Sequence, residues 1–591
     1  MTHSEHVQYI LLAEFDIDKG ANLKYQYPTE TGTDEHVLSE LMLPDGAHLR
    51  AEDWTIFCLN QLTPDPNQQE NLDSDSKPLL YVLNLVRTKH DATARRGARV
   101  KAMAICTRHQ YLHIYKPVLL LAMEKYFENP SIEILESLYE AVNSMDLSRM
   151  PKFTWHERQI LRASDNKTIF EEMFIDEEPT SATSETDDMS MMEEIDVTHR
   201  LRRGTYIDLA SGHVREKIPV FSKDRHFFET KIEYDGIKLP IKIPLTVNPE
   251  EVGDFSVIKL INTFTPSASY PGSANPHHPH LDSSGPYTHP IMLLLNALLT
   301  QKRIVFLGYG HPSGEVANYV LAACALGSGC GTVLKGFTER AFPYTNLTSV
   351  DDLLKCPGFI AGVTNPTYEE HTSWWDVLCN ISTGKITVSH HIESNHVIAT
   401  PTRKQSVSEE TSLGVEQAQS PPFHQQQFPA EEKRDSDVEF MNEVMTAIQS
   451  HYGETSIRAK FQDYVLRFVR LAALYEEQVY GHTNIGRHSN GVILGCGPVF
   501  ADEASKQREL KANANRIEGW RQSISYRYYE RDINHWLQNA CIKNLDVYRQ
   551  ISKLKKLKHI PDQEVAAIYE AFLNNIVTHR QMIEVSLTLF V

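Results

Sequence analysis

The chain has 591 residues, enough for roughly three to four domains of about 150 residues each. Its 77 acidic and 58 basic side chains leave a formal charge of −19, which argues against nucleic-acid binding through general electrostatics, because phosphate attraction needs a basic face. Hydrophobic residues make up 41% of the chain, so a sizeable core can be buried, and the eight cysteines form no CxxC pair, the usage of a reducing compartment.

The opening segment has no charged leader, and no stretch approaches ~18 apolar residues. A cytoplasmic chain, or one peripheral to a membrane, is therefore expected. VQYILLAEF (7–15) is apolar and β-compatible, and Gly20 and Asn22 in the following turn predict a hairpin into LKYQYP. DWTIFCLN (53–60), LLYVLNLVRT (79–88), VKAMAIC (100–106) and YLHIYKP (111–117) continue as predicted strands, and VLLLAMEKYF and IEILESLYEAV have helical spacing. The first lobe, 1–165, is thus expected to be α+β, a mainly antiparallel sheet followed by packed helices.

Residues 176–200 are acidic and polar with no means of making a core, and 166–239 is expected to be linker and connecting segment. A short strand then precedes a predicted amphipathic helix with Val252, Phe255, Val257, Leu260 and Ile261 near one side. Residues 265–289 read as a loop. From His289 a buried helix (PIMLLLNALLT), a buried strand (RIVFLG) and a further helix (EVANYVLAACAL) follow. TSVDDLLKC predicts a short helix capped by Thr348 or Ser349, and PGFIAGV and GKITVSHHI predict strands. This alternation over 240–395 implies an α/β unit with a mostly parallel sheet. The Gln, Pro, Ser and Glu of 396–435 predict a disordered linker, and 436–591 is dominated by helical periodicity.

The segment 303–329 has the plan of a phosphate-binding loop: strand, glycine-rich turn, helix. A P-loop needs lysine and then Ser or Thr after its last glycine, but Gly314 is followed by Glu315. Gly308, Gly310 and Gly314 form a loose dinucleotide-type pattern, yet the next strand region, GTVLKGF, supplies Lys335 where an acid should hold a ribose. Packing explains such a turn without a nucleotide, and no cofactor is expected. HHPH (277–280) sits in a proline-rich tract and reads as surface loop rather than metal site, and Cys379 reads as a buried thiol rather than a nucleophile. Of the pair Trp374–Trp375, core packing of one ring is favoured over a partner-binding anchor. In YRQISKLKKLKHI, Lys553, Lys555, Lys556 and Lys558 either face an anionic membrane or form a solvated helix face, and the second reading is favoured.

Three stretches together resemble the DENN-type proteins. YILLAEFDIDKGANLKYQYP (9–28) and LMLPDGAHLRAEDWTIF (41–57) are similar to the opening of that family. RIVFLGYG, LAACALGSG and FPYTNLTSVDDLLKCPGFIAGVTNPTYEEHTSWWDVLCNISTGKI are similar to its core. The resemblance is closest to the fungal Arf-docking, polarity-axis-stabilising branch and covers most of 5–165 and 240–395. It implies a longin-like N-lobe, an α/β DENN core and a helical C-terminal region. It further implies binding of a small GTPase without a catalytic side chain: either docking of an Arf-type GTPase at the cell cortex during polarised growth, or guanine-nucleotide exchange on a Rab.

Overall fold

The computed structural model describes residues 6–16, 18, 20–60, 79–90, 98–174, 205–207, 214–216, 224–265, 277–285, 288–392, 436–487, 495–543, 545–557, 560–578, 581–582 and 585. The segments expected as linkers, 176–200 and 396–435, lie outside these residues, as does Lys558. Two compact units share the chain, residues 1–143 with 248–589, and residues 144–247.

The larger unit begins with strands β1 (Val7–Asp16) and β2 (Gly20–Tyr27), helix α1 (Glu35–Met42), and strands β3 (Glu52–Leu59), β4 (Leu80–His90) and β5 (Ala98–Thr107). The sheet order is β2-β1-β5-β4-β3, antiparallel throughout. Alternation along β1 sends Leu11 and Ala13 into one cluster with Leu38 and Met42 of α1. The opposite face is covered by α2 (Lys116–Glu128) and α3 (Glu133–Asn143). YLHIYKP, expected as a strand, is instead a 3-10 turn (Leu112–Tyr115) running into α2. The physical reason is Pro117, which suits the first turn of a helix, where its missing N–H costs nothing.

The smaller unit holds α4 (Trp155–Ala163), the short pair β6 (Thr205–Ile207) and β7 (Val214–Glu216), and a hairpin of β8 (Phe227–Tyr234) and β9 (Ile237–Pro244). Thr154 and Glu157 form a reciprocal capping box on α4, and Phe153, Leu161 and Leu245 make a small core.

In the larger unit the chain resumes with α5 (Val257–Phe264), α6 (Pro290–Leu299), β10 (Ile304–Leu307), α7 (Ser313–Gly327), β11 (Ala341–Phe342), α8 (Val350–Lys355), β12 (Ile360–Val363), α9 (Thr367–Glu370), β13 (Val377–Asn380) and β14 (Lys385–Val388). This sheet has the order β11-β12-β10-β13-β14, parallel except for β14. Its strands are buried on both faces, as parallel sheets are. Ile304 and Phe306 pack with α5, α6 and α7, while Val305 and Leu307 pack with Val350, Leu353 and Trp375.

Three expectations for this stretch are corrected. The helix expected from Val252 starts only at Val257, because Gly253 adopts a left-handed turn (φ +76°) and Ser256 caps the helix by accepting from Lys259 N at 3.1 Å. The capping position of α8 is Ser349, one of the two expected, although its hydroxyl makes no bond to the helix; the hydroxyls of Thr348 and Ser349 both donate to Asn346 Oδ1, at 2.7 and 3.3 Å. GTVLKGF is no strand, since the buried Glu250 carboxylate accepts from Gly336 N and Thr338 N at 2.7 and 2.9 Å, taking the donors a ladder would use. The HHPH tract is exposed only at His277: His278 and His280 are buried, and Asp282 accepts from His278 N at 2.8 Å.

The unit continues with helices α10 (Ser436–Gln449), α11 (Glu454–Tyr480), α12 (Glu503–Arg521), α13 (Ile524–Asn539), α14 (Val547–Lys556) and α15 (Asp562–Asn575). Phe461, Val465, Phe468, Ile517 and Trp520 join the same hydrophobic core as α5–α7, so the helical region and the parallel sheet are packed as one body. Among the described residues no helix is long and apolar enough to cross a membrane.

Buried histidines give this body a pH dependence. Burial pushes His280 down to about 3, helped by Lys302 and His278, and pushes His109 and His289 down to about 4. His289 Nδ1 also accepts from Ile291 N at 3.2 Å, a cap that only the unprotonated ring can make. Each ring stays neutral in the folded chain while it protonates near 6.5 when unfolded, so stability is intact above about pH 6.5 and falls as the pH drops below it. For His280 the loss reaches about 1.4 kcal/mol one unit below that point. Thermal unfolding at several pH values should show the midpoint falling below neutrality, with a shallower fall in a His280→Asn variant.

Candidate functional site

The two sheets meet edge to edge. Strand β3, an edge of the first sheet, lies against α7 and against β11, an edge of the second. An uncovered edge strand would offer unpaired backbone groups to other chains, and here both edges are covered. The seam is held by polar contacts of very long sequence separation. Asp53, buried on β3, accepts from Ser313 N at 2.9 Å and Gly314 N at 3.3 Å, at the N-terminus of α7. Arg50 Nη2 donates to Gly310 O at 2.6 Å. Asp45 N donates to Tyr344 Oη at 3.3 Å, and Asn365 Nδ2 donates to Asp45 Oδ2 at 3.4 Å.

This geometry answers the question posed by the glycine-rich turn. A phosphate would sit where the positive end of the α7 dipole and its free N–H groups point. That place holds the Asp53 carboxylate, brought from a strand 260 residues earlier. In a doubly wound sheet, ligands bind beyond the carboxyl ends of the strands where the connections diverge, here after β10, and that crevice is packed by β3. Glu315 is likewise engaged, with Lys259 at 2.5 Å and His311 at 3.0 Å; burial opposes ionisation, but the hydrogen bonds from these two side chains hold its carboxyl below the usual range.

Gly314 is needed for the close approach. A Cβ there would lie 2.9 Å from Trp54 O, a backbone atom that cannot swing away. Gly314→Ala should therefore force β3 off α7 and cost about 1–3 kcal/mol, an overpacking penalty that thermal unfolding would reveal. An unchanged midpoint would mean the seam is looser than this packing.

On the outside of the seam two apolar side chains stand in solvent. Leu49 and Tyr309, the residues preceding Arg50 and Gly310, are 75% and 66% exposed. Their chain neighbours Arg50 and Gly310 are bonded across the seam, so both exposed residues belong to segments that meet there.

Both sides of the seam match known families. Residues 9–74, which carry Asp45, Leu49, Arg50 and Asp53, match a family described as the docking domain of Afi1 for Arf3 in vesicle trafficking. Residues 277–390, which carry Tyr309 to Gly314, Tyr344 and Asn365, match a family described as stabilization of polarity axis. Over 98% of its length the chain is also 28% identical to an AFI1-like protein of Schizosaccharomyces pombe, covering 88% of that protein. The seam is thus the place where the docking-domain match and the polarity-axis match touch.

The residues singled out from the sequence lie elsewhere. Trp375 is 1% exposed and donates to Tyr368 O at 2.7 Å, while Trp374 is half-buried and stacks on His371 at 4.2 Å. Lys553 is paired with Glu564 at 2.6 Å. Lys555 and Lys556 are exposed in the last turn of α14, where cations favour the helix dipole. Cys379 is buried on β13, and burial pushes its thiol pKa up, away from reactivity. Among the described residues no cluster of His, Cys, Asp and Glu suits a metal. Asp53, Arg50, Leu49 and Tyr309 were not singled out, because their roles come from contacts far apart in sequence.

Proposed function

We propose that this chain is a docking protein for an Arf-type small GTPase, acting at the cell cortex in polarised growth and vesicle trafficking, and that the seam is its docking face. The carrying observation is the match of 9–74 to a docking domain for Arf3, with Leu49 of that segment and Tyr309 of the polarity-axis segment both exposed next to residues that bond across the seam. The face works by position. Asp53 and Arg50 lock β3 to α7, so Leu49 and Tyr309 are presented on a rigid base and lose little entropy on binding. No catalytic side chain is part of this reading.

The DENN-type assignment, with a longin-like first lobe, is part of the same proposal. It draws support from the strand order β2-β1-β5-β4-β3 with α1 between β2 and β3, and from the parallel sheet that follows.

Leu49→Asp and Tyr309→Asp each place a charge on the contact without touching the buried seam. Each should weaken binding of a GTP-loaded Arf-type GTPase by about tenfold, or about 1.4 kcal/mol. Titration calorimetry would measure it. Full affinity in both variants would move the docking face elsewhere.

A further inference from the structure

A second feature lies in the helical region. A cavity of about 400 Å³ opens between α10, α11, α12, α14 and the segment 497–499. Seven cationic and four acidic side chains line it, in a chain whose formal charge is −19. Two helices supply most of the cations. Lys460, Arg467 and Arg470 of α11 line it from one side at helical spacing, and Arg549, Lys555 and Lys556 of α14 line it as well. Facing two basic helix surfaces across one opening costs mutual repulsion, and packing alone does not require it.

Carboxylates pair with part of this charge, and the cations still outnumber the acids of the lining. Arg516 and Asp437 neutralise each other at the base, 3.2 Å apart. The pairs Arg467–Glu509 and Lys460–Glu443 are both long, at 3.5 Å. Asp463 lies between the basic faces, and burial raises its carboxyl pKa against the pull of Lys556 and Lys460. Arg470 is held in place, stacked 4.5 Å from the Tyr548 ring and bonded to Asp546 at 2.9 Å. Such a wall is preorganised for an acceptor rather than a donor.

We propose that this cavity binds a compact polyanion bearing two or more phosphate groups on a small ring, held by Arg467, Arg470, Lys555 and Lys556. The volume falls within the range of small-ligand sites, about 300–1,000 Å³. Arginine forks suit phosphate oxygens, and the lysines at the rim supply point charges. The ligand can be a free sugar or inositol phosphate, or the headgroup of a phosphorylated lipid, since both present the same phosphates. The site is independent of the docking face and stands or falls separately from it.

The test uses the full chain with inositol hexakisphosphate in calorimetry, and with phosphatidylcholine vesicles containing phosphatidylinositol bisphosphate in flotation. One-to-one binding of the soluble probe is expected. Arg467→Gln with Lys556→Gln should weaken it at least about tenfold. Arg467→Lys with Lys556→Arg, which keeps both charges, should retain it, and so should Lys355→Gln with Lys385→Gln, which removes equal charge elsewhere. Flotation that the soluble probe competes away assigns the headgroup; calorimetric binding without flotation assigns a soluble ligand. Absence of saturable binding to either probe overturns the proposal, as does an equal loss in the two charge-removing double variants.

Discussion

Replacing Arg516 with methionine should destabilise the chain by about 3–5 kcal/mol, the cost of leaving a buried charge without its partner. Arg516 is the centre of a buried network that ties four helices together. It reaches Asn296 Oδ1 of α6 at 2.8 Å, Asp437 Oδ2 of α10 at 3.2 Å and Tyr464 Oη of α11 at 2.8 Å, from its own place on α12. Tyr464 also donates to Asp437 Oδ1 at 2.7 Å. Burial alone would raise the Asp437 carboxyl; Arg516 beside it, with Ser283 and Tyr464, holds it below the usual range. Remove the guanidinium and Asp437, 4% exposed, must either ionise without compensation or take up a proton. Denaturant unfolding of Arg516→Met should show the loss. The double variant Arg516→Met with Asp437→Leu should recover much of it, because two apolar groups of similar size leave no buried charge. A single variant as stable as the parent would mean that the network adds nothing to the cohesion of the helical region and the parallel sheet.

Much of the architecture was legible from local pattern. The strands of the first sheet announce themselves by β-branched and apolar runs, and the parallel sheet by short apolar segments alternating with helices. Failures came where a contact from elsewhere overrode the local signal. YLHIYKP is rich in strand formers, but the chain turns there and Pro117 starts a helix. Val252 and Phe255 continue the spacing of α5 backwards, yet Glu454, from α11, accepts from Val257 N at 2.6 Å and fixes the helix start at that point. The HHPH tract reads as surface because proline and serine surround it; His277 is exposed, but His278 and His280 are buried, and Gly519 on α12 gives His280 room to pack close.

The candidate site was legible only in its negative half. Glu315 in place of a P-loop lysine argued against a phosphate from the sequence alone. What fills the helix N-terminus instead, Asp53, could not be read, because nothing local distinguishes an acid at a strand end from any other. The exposure of Leu49 and Tyr309 needed the three-dimensional arrangement entirely.

The docking proposal is tested most directly by the nucleotide state that the chain prefers. A docking protein is recruited by an active switch, so it must bind the GTP form more tightly, and binding energy shifts an equilibrium only through such a difference. A preference of ~100-fold corresponds to about 2.7 kcal/mol, which a few buried contacts from Leu49, Tyr309 and their neighbours to an ordered switch can supply. The measurement is titration of the full chain with an Arf-type GTPase in its GTP-loaded, GDP-loaded and nucleotide-free states, alongside release of labelled GDP. The expected result is tightest binding of the GTP form with no large acceleration of release. Tightest binding of a nucleotide-free GTPase, a Rab above all, with accelerated release of GDP, would contradict docking and make the chain an exchange factor.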